Sequence, residues 1–246
     1  MRPGLRAFLG TVFVMTLFLT AALVMGDEMT QTLATRVLAS FDDTATAGNW
    51  IVQGSKYATN GFPQMQVVRT WPEALYKKNK EGRQLLALGI HGKFDRKSYN
   101  FLEMIPAAKD SSGKLQPTTI PIPGRAKSID MWVWGANYNY WLDVHIRDYQ
   151  GIDHVIHMGS LMFPGWRNMS AIISTAIPQA RKYIPRYAGL ELSKIVIWTA
   201  PDEKVDDFYV FIDEVNVLTD LFETRFDGED LADAGSLDDL WKQGTK

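Results

Sequence analysis

The sequence predicts an all-β protein, a jelly-roll β-sandwich of two packed antiparallel sheets, and three observations carry that expectation. Ten short runs rich in β-branched and aromatic residues follow one another at 36–41, 50–53, 65–70, 84–91, 128–134, 138–147, 153–161, 166–174, 192–199 and 208–218. No regular helical period separates them, which argues against a parallel sheet built from βαβ units. The one helix-like window, 171–187, is broken by Pro178 and Pro185. Proline lacks the N–H a helix interior needs and clashes with the preceding turn, so this window reads as a strand end followed by a loop.

Three parts are expected along the chain: a signal peptide at 1–26, the sandwich at 27–222 and an acidic tail at 223–246. Arg2 and Arg6 precede an uncharged run, residues 7–26, and Val24 and Gly26 place small side chains where a signal peptidase inspects them. Cleavage is expected before Asp27, leaving a protein with no stable membrane anchor. An uncleaved anchor is the alternative, since the run approaches the ~20 residues that span a bilayer, but Gly10, Thr11, Thr16 and Thr20 weaken it. The chain has no cysteine. Lipoprotein attachment and disulfides are therefore excluded, and stability has to come from an ordinary hydrophobic core, for which the 220 residues after cleavage suffice.

Charge is local. Without the two signal arginines the chain carries 24 basic and 28 acidic residues, a net charge of −4. The tail alone holds seven acidic and three basic residues, so the body is neutral and shows no basic nucleic-acid footprint. Three segments look irregular: 71–83 with the basic run KKNKEGR; 106–127 with Pro117, Pro121, Pro123 and Gly124; and the tail with Phe226, Leu231, Leu237, Leu240 and Trp241. The tail reads either as a short docking helix through Leu237, Leu240 and Trp241 or as a disordered segment.

The richest stretch is 127–151, which reads as two alternating strands joined by a tight turn. Ile129, Met131 and Val133 share one face of the first strand, and Asp130, Trp132 and Trp134 the other. On the second, Tyr140, Leu142, Val144 and Ile146 oppose Trp141, Asp143, His145 and Arg147. One face is core. The other, with Trp132, Trp134, Trp141, Asp143, His145 and Arg147, carries more aromatic area than a solvated face needs and is the expected partner- or glycan-binding face. The competing reading is that loops or a terminal segment cover it.

Catalytic spacings are missing: there is no HExxH, GxSxG, phosphate loop or GxGxxG, and no cysteine nucleophile. His154 and His157, three apart on a strand, point to opposite faces and cannot chelate together. Asp130 and Asp143 are the best pair for a glycosidase, but aspartates among basic residues on an exposed strand usually form a solvated face. A more pointed acidic set lies at the two ends of the domain. Asp42 and Asp43 close the first strand, and Asp213-Glu214 interrupts the last, where adjacent carboxylates are odd unless a bulge or a cation accounts for them. First and last strands of a jelly roll are commonly neighbours, so Asp42 or Asp43 with Asp213 could hold a structural Ca²⁺. The alternative is turn-forming aspartates and nothing more.

The segments MWVWGANYNYWLDVHIRDYQG, HMGSLMFPGW and LSKIVIWTAPDEKVDDFYVFIDEVNV resemble the spirochaetal flagellar filament outer-layer proteins, the FlaA sheath family. The resemblance spans residues 37–220. DFYVFIDEVNV and Gly165-Trp166 are similar, more broadly, to galactose-binding jelly rolls, the fold of many carbohydrate-binding modules. The family resemblance implies an exported, non-enzymatic sheath subunit of the periplasmic flagellum, in contact with a core flagellin filament and other sheath proteins. A core flagellin itself is excluded, because neither end of the chain carries long heptad-patterned helices. The alternative function is a periplasmic carbohydrate-binding module that stacks sugar rings on its tryptophan face.

Overall fold

A computed structural model describes residues 33–43, 47–76, 84–179, 189–221, 231 and 233–244. The apolar run 7–26 with its cleavage site, the basic run 77–83 and residues 222–230 of the tail lie outside the described residues. Thirteen strands are described: β1 Leu33–Ala39, β2 Trp50–Gly54, β3 Gln64–Val68, β4 Ala87–Gly92, β5 Phe101–Lys109, β6 Leu115–Pro117, β7 Ile120–Ile122, β8 Arg125–Ala136, β9 Tyr140–Arg147, β10 Asp153–Ser160, β11 Pro164–Ile172, β12 Leu190–Thr199 and β13 Phe208–Asp220. Two helices join them, α1 Glu73–Tyr76 and α2 Ala234–Gln243. Among the described residues no helix is long and apolar enough to cross a membrane.

The strands form two antiparallel sheets. One runs β11-β8-β13-β4-β3, with β1 added alongside β13; the other runs β10-β9-β12-β5-β2, with β6 on β5 and β7 on β12. The chain changes sheet at β1–β2, β2–β3, β4–β5, β7–β8, β8–β9, β10–β11, β11–β12 and β12–β13, the alternation of a jelly roll. Inward residues of both sheets meet in one core. Ile129, Met131 and Val133 of β8, Leu142, Val144 and Ile146 of β9, Ile195 and Ile197 of β12 and Ile212, Val215 and Val217 of β13 are all at most 1% exposed. Each such side chain contributes about 1.5–3 kcal/mol by leaving water.

The expected hairpin at 127–151 is not formed. β8 pairs with β11 and β13, whereas β9 pairs with β10 and β12, so the segment 137–139 crosses from one sheet to the other. Asn137 makes the crossing in the left-handed region (φ 64°), where asparagine is among the few residues tolerated. Its N–H donates to the Phe163 carbonyl and the Asn139 N–H to the Glu203 carboxylate, which fixes the crossover to both flanking loops. The inward faces of β8 and β9 are those expected, but they face each other through the core instead of side by side.

The segment 106–127, expected to be irregular, contains the end of β5, β6, β7 and the start of β8. Pro106 sits within β5 beyond the stretch Phe101–Met104 that pairs with β12, where no N–H is needed by that ladder. In the tail, residues 234–243 are helical, with the Asp233 carboxylate capping the Ser236 N–H at 2.8 Å.

The β9–β10 turn depends on one buried carboxylate. Asp148 Oδ1 accepts from the N–H groups of Gln150 (2.8 Å) and Ile152 (3.0 Å), and Oδ2 lies 2.8 Å from His154 Nε2. Burial alone would raise its pKa; the hydrogen bonds from His154, Ile152 and Gln150 outweigh burial and hold it below the ordinary carboxylate value. A depressed pKa contributes stability that is present above the unfolded value and is lost as pH falls through the folded one. Asp148→Asn is therefore expected to cost about 1–3 kcal/mol at pH 7. The gap to the parent should close on acidification below the ordinary carboxylate range. Chemical denaturation across pH checks this; a pH-independent gap would mean that the cost is packing and not charge.

Candidate functional site

The two outer faces of the sandwich each carry a row of aromatics across three adjacent strands. On the β10-β9-β12-β5-β2 sheet, cross-strand register places Trp141 of β9 beside Trp198 of β12, and Trp198 beside Phe101 of β5. The two indoles lie nearly parallel (11°) with centroids 6.2 Å apart, and Phe101 tilts against Trp198 at 5.2 Å. Tyr99, just before β5, extends the row edge-on to Trp141 at 6.2 Å and is 64% exposed. All three strands need only outward positions of the pleat to build it.

Along the same face the row gives way to charge. Asp143 lies opposite His157, with Oδ1 to Nδ1 at 2.8 Å. His145 sits between Val155 and Lys194 across the ladders, and Lys194 pairs with Glu103. Burial, followed by the Lys194 charge, lowers the His145 pKa, so this ring is neutral near pH 7. Arg147 holds Asp153 through Nε (3.1 Å) and Nη2 (3.2 Å). Thus Trp141, Asp143, His145 and Arg147 share one outer face, as their alternation predicts. Its charges are mutually paired, the arrangement of an ordered surface and not of an activated acid or base.

Trp132 and Trp134 are elsewhere. They project from β8 on the outside of the opposite sheet, because β8 and β9 belong to different layers. There Trp134 stands between Trp166 of β11 and Phe211 of β13, and its ring meets Phe211 at 5.5 Å in a T-shaped contact. Trp132 lies between Asn168 and Asp213. Beyond Phe211 the row meets Gly89, where a Cβ would lie 2.9 Å from the Phe211 ring. A cleft of about 370 Å³ follows, lined by Gln64, Gln66, Gly89, His91, Tyr209 and Phe211 among others. Tyr209 stacks on His91 at 4.1 Å, and His91 Nε2 is 2.6 Å from Asp207 Oδ1. The single three-tryptophan face expected from the sequence is therefore two faces on opposite sides of the molecule.

Sequence reasoning missed Tyr99, Phe101, Trp166, Trp198 and Phe211 as members of these rows. Trp198 and Phe211 occupy outward positions of runs that were recognised as strands, so alternation alone could have found them. Tyr99 and Phe101 fall in a stretch assigned to no strand.

The acidic set is partly assembled. β1 pairs with β13, as a jelly roll implies. A bulge in β13 between Asp213 and Asn216, with Glu214 at φ 46°, accommodates the adjacent carboxylates. Asp42 reaches this point, where Tyr76 Oη lies 3.4 Å from Asp42 Oδ2 and 3.3 Å from Glu214 Oε1. Asp43 is exposed and is replaced in the cluster by Glu214. Among the described residues no three Asp, Glu, His or Cys side chains already surround one point as a metal-ligand set.

Comparison with known proteins decides the family. The model of the flagellar filament outer layer protein FlaA matches residues 28–227. The chain belongs to this family. A flagellar filament outer layer-like protein of Brachyspira hyodysenteriae is 24% identical over 143 residues, which span 58% of this chain and 62% of that relative. In fold, the FlaA chain is similar to the family 11 carbohydrate-binding module of the Clostridium thermocellum cellulase Lic26A-Cel5E. That likeness has a TM-score of 0.45 at 9% identity and covers 76% of this chain and 96% of the module. A family 61 module solved with β-1,4-galactotriose gives a TM-score of 0.40 at 16% identity, over 75% and 99% of the two chains.

Proposed function

We propose that this FlaA-family chain is a structural sheath subunit of periplasmic flagellar filaments, exported by its N-terminal signal, which coats a flagellin core, touches other sheath proteins and thereby affects filament shape and motility. It acts by binding and not by catalysis. The observation that carries the reading is the pair of aromatic rows on opposite faces. A coat subunit has to adhere to the core on one side and to other proteins elsewhere, and half-buried indoles are the side chains that concentrate interface energy. Membership of the outer-layer family supports the filament as the partner.

The near-parallel pair Trp141 and Trp198 also supports a second reading, a carbohydrate-binding module, since flat indoles beside exposed Tyr99 suit the apolar faces of sugar rings. Purified periplasmic flagella separate the two. A sheath subunit is expected in the filament fraction by mass spectrometry and shows no affinity on a glycan array. A glycan-binding monomer absent from filaments would reverse the assignment.

Export has its own check. N-terminal sequencing of the native protein is expected to begin within two residues of Asp27, as the small residues Val24 and Gly26 direct. A start at Met1 would mean that the segment is retained as an anchor.

A further inference from the structure

We propose that the junction of β1 and β13 binds a hard divalent cation, calcium by its oxygen chemistry, through the unpaired oxygen of Asp213 together with the carboxylates of Asp42 and Glu214. The decisive observation is Asp213 itself. It is fully buried, yet only Oδ1 has a partner, the Glu214 N–H at 2.8 Å; Oδ2 accepts no hydrogen bond. Three residues on, past the bulge, Asn216 Oδ1 is a second buried oxygen without a donor. Buried carboxylate oxygens are almost always hydrogen-bonded or bound to a metal, because an ionised one without a partner is among the costliest groups to bury.

The surroundings are rich in acceptors. Asp42 Oδ1 takes the Leu86 N–H at 2.9 Å, and its Oδ2 shares the Tyr76 hydroxyl with Glu214 at 3.4 and 3.3 Å. Both distances are long for O–H···O, and a hydroxyl has one proton to give, so Tyr76 satisfies at most one of the two carboxylates well. Burial, followed by the Asp213, Glu214 and Asp42 charges, raises the Tyr76 pKa far above that of a free phenol, which keeps the hydroxyl a donor.

The donors are all oxygens, with no histidine or cysteine in the cluster, which selects a hard ion over zinc or copper. Calcium tolerates irregular six- to eight-oxygen shells completed by carbonyls and water, whereas magnesium demands a near-ideal octahedron. Asp42 Oδ2 and Glu214 Oε1, which share the Tyr76 hydroxyl at long range, are the oxygens that join Asp213 in this proposal. An ion here would tie the start of the domain to its last strand, at the point where β4 leaves the edge of β13 and β1 takes its place.

Thermal melting of the purified protein tests this. After EGTA treatment, calcium at about a hundredfold excess over its Kd is expected to raise Tm by roughly 5–10 °C, with one ion per chain by isothermal calorimetry. Asp213→Asn should lose most of that response, while Asp206→Asn, an exposed carboxylate paired with Lys204 away from the cluster, keeps it. If Asp213→Asn does not fold, Asp42→Asn takes its place in the calorimetry. A wild-type Tm indifferent to both EGTA and calcium, or a variant that responds as the parent does, overturns the proposal and leaves Asp213 as a carboxyl held neutral by burial.

Discussion

Replacing Trp141 and Trp198 together by alanine is expected to weaken co-sedimentation with purified filaments by roughly thirtyfold or more, equivalent to at least about 2 kcal/mol. The two rings are direct cross-strand neighbours, and with Phe101 and Tyr99 they make a continuous apolar strip bordered by paired charges. That arrangement, an aromatic centre with a polar rim, is where interfaces concentrate binding energy. The stability loss should be smaller, about 0.5–1.5 kcal/mol for the lost ring–ring contact, because both indoles are already partly in water. A matched double variant on the opposite face, Trp134→Ala with Trp166→Ala, tells the faces apart. If it abolishes sedimentation while the Trp141 variant does not, the core-binding side is the β8 face. If both variants melt near the parent and still decorate filaments, neither row is an interface and the sheath reading loses its structural support.

Much of this was legible in the chain because alternation reports which side chains face inward. Ile129, Met131 and Val133 and, across the core, Leu142, Val144 and Ile146 are buried as their spacing requires. Alternation does not report which strand lies next door. A hairpin and a sheet-to-sheet crossover share the same inward pattern, so nothing local distinguished them at Asn137, and the tryptophans of β8 and β9 were merged into one face. The segment 106–127, read as irregular from Pro117, Pro121, Pro123 and Gly124, holds the short strands β6 and β7 and begins within β5, at Pro106. Proline usually ends a central strand, but β5 outruns its β12 partner, so the missing N–H has no cost there. The acidic set was half legible. Asp42 and Asp213 were brought together by the neighbour relation of first and last strands, and the adjacent carboxylates Asp213-Glu214 signalled the bulge, but which of Asp42 and Asp43 faces it depends on the local path of the chain after β1, which alternation does not report.

Phe208→Ala is expected to cost about 3–5 kcal/mol, the usual penalty for emptying an aromatic site in a core, and to lower Tm by on the order of 10 °C. Phe208 is 1% exposed at the start of β13, and its ring meets Tyr140 at 4.9 Å, Phe94 at 6.0 Å and Tyr138 at 6.5 Å. Opposite it on β4 is Gly92, where an added Cβ would lie 2.1 Å from the ring. The glycine is there because the phenyl occupies the space a side chain would need. This predicts a coupling as well as a loss. Gly92→Ala alone should be strongly destabilising, since the ring is confined by Tyr140 and Phe94 and has little room to give. In the Phe208→Ala background the same methyl enters the cavity and costs far less, so a double-mutant cycle by urea denaturation should return a coupling of about 1–3 kcal/mol. Additive costs would mean that the backbone shifts to relieve each change separately, and that the aromatic cluster does not hold this end of the two sheets together.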